Sequence, residues 1–115
     1  MRIVLTVEAH KFLYSLPQDA IQKITYNMRK VQSGVKDAEL FKKLEGTSIW
    51  EFRTLYNNKA YRFFAFWDTD TETLVITTHG IVKKTQKTPQ KEIDKAERIR
   101  KEYFQQKNNK KLWIK

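Results

Sequence analysis

The sequence predicts an α+β fold, with an N-terminal strand and helical hairpin packed on an antiparallel twisted sheet and a C-terminal helix. Three observations carry that expectation. Apolar residues recur at helical spacing up to residue 31, give way to aromatic and β-branched runs over residues 48–81, and return to helical spacing after Thr88-Pro89. A chain of 115 residues, 40% hydrophobic and 13% aromatic, suffices for one core. With three glycines and two prolines, no linker or repeat divides it, so residues 1–115 read as a single domain.

The elements follow in order. RIVLTV, at residues 2–7, is a short strand. Ala9, Phe12, Leu13 and Leu16 keep helical spacing up to Pro17, and Ile21, Ile24, Met28 and Val31 do so up to Ser33-Gly34, so a helical hairpin is expected with one apolar face per helix. DAELFKKLEG is expected to add one helical turn. Strands are expected at about 48–56, 59–68 and 73–81, separated by Asn57-Asn58 and by DTDTET. Asn tolerates the positive φ of a tight hairpin turn. Thr88 reads as the N-cap and Pro89 as the first residue of a closing helix. NNKKLWIK, at about 108–115, reads as a basic tail.

Register makes two arginines conspicuous. A two-residue turn at Asn57-Asn58 sets Arg53 directly opposite Arg62, and a two- or four-residue loop in DTDTET then sets Arg62 opposite His79. One face of the sheet carries Trp50, Phe52, Tyr61, Phe63, Ala65, Trp67, Leu74 and Ile76, which is the face for helices to cover. The other face is split, with Ile49, Phe64, Phe66 and Val75 at one end and Glu51, Arg53, Arg62 and His79 at the other. Facing like charges destabilise a sheet, so an anion, or a carboxylate such as Glu51, is expected between the arginines. Tyr61 and the tryptophans read as core rather than as base-stacking platforms.

Charge narrows the function. The formal net charge is +10, and from Lys83 to the C terminus twelve Lys/Arg stand against four Asp/Glu. Such an excess suits a nucleic acid or an acidic protein. The chain has no cysteine, which excludes disulfides, a thiol nucleophile and Cys-bound zinc and fits a reducing cytoplasm. Its first residues read as neither a signal peptide nor a membrane span. His10 and His79 are far apart and no glycine loop suits a phosphate, so neither a metal nor a cofactor is expected.

LEG with WEFR, then YRFF, then HGIVKKTQKTP, in this order of elements, resembles the RelE/ParE superfamily of bacterial toxin-antitoxin toxins, and within it the phage-derived HigB-type branch. The resemblance covers nearly the whole chain and implies a RelE-like fold. It further implies a metal-independent, ribosome-dependent endoribonuclease that cuts messenger RNA by attack of the ribose 2′-hydroxyl on the adjacent phosphodiester and so inhibits translation. Arg53, Arg62, His79 and Lys84 would then be catalytic, with Arg62 on the scissile phosphate, while Lys42, Lys43, Lys83 and Lys87 would hold RNA. Glu51 is a possible base, ranked first as a structural counter-ion. The implied partners are the ribosome, messenger RNA and a helix-turn-helix antitoxin from an adjacent gene, which the partly apolar sheet face and last helix are expected to accept. The alternatives are a ParE-like toxin that binds DNA gyrase and a degenerate RNA- or antitoxin-binding module.

Overall fold

Thr6 starts the first helix by accepting a hydrogen bond from Ala9 N–H through its side chain, and a strand ends just before it. The structure, a computed structural model, describes residues 1–83 and 88–113, with the backbone alone at 78–83 and 109–113. Its elements are β1 (Arg2–Leu5), α1 (Val7–Tyr14), α2 (Gln18–Gln32), β2 (Phe41–Lys43), β3 (Trp50–Tyr56), β4 (Lys59–Asp68), β5 (Thr73–Lys83) and α3 (Gln90–Trp113). No helix among the described residues is long and apolar enough to cross a membrane.

Among the described residues five strands form one sheet, in the order β1-β5-β4-β3-β2. The expected α+β architecture is present, with one amendment: β1 runs parallel to β5, so the sheet is mixed. Connecting β1 to β5 through the helical hairpin and the β2–β4 meander allows that parallel pairing. The expected helical turn in DAELFKKLEG is a single turn, closed by Phe41 N–H on Asp37 O at 3.0 Å. Phe41, Lys42 and Lys43 then pair with Phe52, Glu51 and Trp50 as an edge strand.

Helices cover both faces. Leu13, Ile24, Met28 and their neighbours on α1 and α2 bury Phe52, Tyr61, Phe63, Ala65, Leu74 and Ile76. α2 ends in a Schellman motif, with Val35 N–H on Lys30 O and Gly34 N–H on Val31 O, both at 3.0 Å. Gly34 takes φ 103° there, which only glycine adopts without strain.

On the other face Ile49, Phe64, Phe66 and Val75 are buried with Ala96, and Tyr103 and Phe104 pack against them. The apolar end of that face is therefore covered by the chain's own α3. The basic tail expected at about 108–115 is also amended, since the α3 backbone stays helical to Trp113. No glycine or proline interrupts NNKKLW.

Asp68, at the end of β4 and 0% exposed, clamps the far half of α3. It accepts from Tyr103 Oη at 2.6 Å and from Lys107 Nζ at 2.8 Å. Burial pushes its carboxyl up, but the bonds from Lys107 and Tyr103 outweigh this and hold it below the ordinary value. Both donors are raised, each chiefly by its hydrogen bond to Asp68.

A carboxyl whose folded pKa is depressed contributes stability above its unfolded value, near 4, and loses it as pH falls through the folded value. The raised Tyr and Lys contribute below their unfolded values, near 10, and lose that contribution as pH rises further. The clamp thus contributes fully between about pH 4 and pH 10. Asp68→Asn is expected to cost about 2 kcal/mol at pH 7 in urea unfolding, with the difference from the parent shrinking below about pH 4.

Candidate functional site

The β3–β4 hairpin is set by two residues. Asn57 and Asn58 take φ 49° and 61°, the paired positive values of a tight hairpin turn, and Tyr56 pairs with Lys59 across it. Counting back along the ladder brings Arg53 opposite Arg62, as the turn predicts.

Arg62 is 1% exposed and Glu51 2%. Glu51 stands two residues before Arg53 on the same face, which makes it the diagonal neighbour of Arg62. The Arg62 guanidinium lies 3.7 Å from Glu51 Oε2. Thr88, two residues ahead of α3, closes the gap: its hydroxyl donates to Glu51 Oε2 at 2.6 Å and accepts from Arg62 Nη1 at 2.9 Å. Glu51, the carboxylate expected near the arginines, pairs with Arg62. Arg53 is the more exposed residue of the pair, although its Nε is buried.

The ladder beyond departs from expectation. DTDTET closes with a four-residue loop, so Asp68 pairs with Thr73 and Ala65 with Ile76 in the predicted register. Two shifts then follow, on either side of Phe64, and Arg62 pairs with Ile81 rather than His79. A bulge adds residues to one strand at little cost where a glycine lies nearby, as Gly80 does here. The side chains of His79 and Lys83 lie outside the described residues, as do Lys84 and Lys87 altogether. Lys42 and Lys43 are exposed and successive on edge strand β2, so they point to opposite faces, paired with Glu51 and Trp50.

Two polar groups at the start of α3 escaped sequence reasoning. Thr88 read only as a helix cap, although a Thr-Pro pair beside a lysine-rich segment carries no signal for a partner 37 residues away in sequence. Glu92, one turn into α3, has a buried Oε2 without a hydrogen-bond partner among the described residues. No group of three His, Cys, Asp or Glu among the described residues suits a metal ion.

Chemically, the face offers a partly exposed arginine, Arg53, beside the buried Arg62–Glu51 ion pair, an arrangement suited to an oxyanion of phosphate. Removing one partner of a buried pair leaves the other charge poorly compensated. Glu51→Ala is therefore expected to cost about 3 kcal/mol or more in urea unfolding, and the double variant Glu51→Leu, Arg62→Leu much less than that.

Among curated proteins none matches the chain. Residues 11–101 match the family model described as phage-derived protein Gp49-like (DUF891), from the end of α1 to the middle of α3, and so include every element of the Arg53–Arg62 face described above. The chain belongs to this Gp49-like family, part of the RelE/HigB-like toxin group associated with toxin-antitoxin systems.

Proposed function

We propose that this protein is the toxin of a type II toxin-antitoxin pair and acts as a ribosome-dependent messenger RNA endoribonuclease of the HigB type. One observation carries the chemistry: Arg53 and Arg62 face each other at the centre of the sheet, with Arg62 neutralised by Glu51 and joined to it by the Thr88 hydroxyl. In the reaction a ribose 2′-oxygen attacks phosphorus, the bond to the 5′-oxygen breaks, and a 2′,3′-cyclic phosphate and a 5′-hydroxyl result. The 2′-proton goes to a base and the leaving oxygen takes a proton from an acid. Negative charge grows on the two non-bridging oxygens, where a preorganised guanidinium acts most strongly.

In this reading Arg53 makes that contact. Arg62, 1% exposed, supplies charge from behind it and meets the phosphate directly only when Thr88 withdraws. His79 and Lys84 are the proposed proton-transfer groups, and Lys42, Lys43, Lys83 and Lys87 the proposed contacts to RNA phosphates. The proposed partner is an antitoxin from an adjacent gene. A groove of about 600 Å³ lined by Val31, Val35, Phe41 and Trp50, with two lysines, Lys36 and Lys42, against one carboxylate, Asp37, suits a mainly apolar segment with an acidic residue.

Induced alone, the chain is expected to halt translation and fragment translated messenger RNA, read by primer extension. Arg53→Ala is expected to slow cleavage by about 100- to 1000-fold while the protein still co-sediments with ribosomes. Arg62→Ala is a weaker test, because it also leaves Glu51 buried without its guanidinium; Arg62→Lys keeps the charge and is expected to cut slowly. Cleavage by Arg53→Ala at the parent rate would overturn the mechanism. A DNA-damage response with intact messenger RNA would point instead to gyrase binding.

A further inference from the structure

Beyond the first residues of β3 and the last of β4, a cleft of about 290 Å³ opens at the end of the sheet. Trp50 and Trp67 form one wall, half-exposed rather than fully within the core, with their rings edge to face at 6.5 Å. Phe104 of α3 forms another wall, and Arg100, one helical turn earlier, lies over its ring at 5.3 Å. Lys43 of β2, paired with Trp50, supplies a second cation. Ser48 and Thr69 bring hydroxyls, and no carboxylate among the described residues lines the cleft. The Ser48 backbone N–H donates to Glu97 Oε1 at 3.2 Å, which holds this loop against α3.

We infer that this cleft is a second RNA-binding site, which takes one nucleotide of a single strand with its base on the Trp50–Trp67 wall and its phosphates on Lys43 and Arg100. Aromatic faces interleaved with cations are how single strands are held without sequence preference. The volume suits one base, and the mixed polar lining distinguishes the cleft from the apolar groove beyond the two tryptophans. Trp50 and Arg53 are separated by an odd number of residues on β3, as are Trp67 and Arg62 on β4, so the cleft's tryptophans and the arginine pair point to opposite faces. At a strand rise of ~3.3 Å per residue they lie ~10 to 17 Å apart along the strands. The tryptophan wall therefore stands apart from the arginine pair, at the end of the sheet where α3 supplies Arg100 and Phe104.

The inference rests on the RNA-directed reading of the chain but not on cleavage. The test uses Trp113→Phe protein, in which Trp50 and Trp67 are the remaining indoles, and a hexa-adenylate RNA. Saturable quenching of fluorescence is expected, with the affinity reduced about tenfold or more by Lys43→Glu with Arg100→Glu and a salt dependence shallower by about two units. Lys43→Gln with Arg100→Gln should give an intermediate loss, and unchanged melting temperatures would exclude misfolding as its cause. No quenching at about 1 mM RNA, equal binding by the charge-reversed protein, or equal quenching by a hexaglutamate peptide would overturn the site. If the RNA quenches while translated messenger RNA stays intact, the nuclease proposal fails and this site stands.

Discussion

A guanidinium that is 1% exposed has to be neutralised where it sits, and the way Arg62 is neutralised organises this molecule. Its carboxylate comes from the neighbouring strand and its bridging hydroxyl from the residues leading into α3. Three segments distant in sequence thus converge on one charge. The ion pair itself contributes little net stability, because desolvation offsets most of the attraction. Its effect is specificity: any register that moves Glu51 off the Arg62 diagonal leaves a charge stranded in the sheet.

That constraint explains why α3 lies where it does. Thr88 fixes its beginning over the polar end of the sheet, Phe66, Tyr103 and Phe104 pack its middle over the apolar end, and Asp68 holds Tyr103 and Lys107 farther along. One helix therefore closes a face that alternates between charge and hydrocarbon, and each part of it finds a matching partner. The same packing leaves Arg53 half-buried beside a closed pair. A cation with a fixed neighbourhood needs little reorganisation to meet an anion.

Much of this was legible in local chemistry. Asn57-Asn58 predicted the turn, the turn predicted Arg53 opposite Arg62, and the four residues after Asp68 kept the expected pairing as far as Ala65. Helical spacing delivered both helices of the hairpin and the core they bury. What could not be read depends on partners far away. A bulge near Gly80 moves Arg62 from His79 to Ile81, and neither strand's composition encodes where a ladder slips. The three-residue β2 is a strand only because β3 lies beside it. Trp50 and Trp67 read as core in the sequence; they are partly buried, Trp67 packed against the core and Trp50 stacked on Phe41.

The parallel pairing of β1 with β5 also governs when the protein can form. Arg2 pairs with Thr73, far along the chain, so β1 waits for β5. Until Thr88 follows, Arg62 and Glu51 lack the hydroxyl that joins them. Contacts of such long range make completion a late and cooperative event in synthesis. A nascent chain truncated within β5 would carry both arginines yet lack the closed face that orders them, so its Arg53–Arg62 face would be assembled only after Thr88.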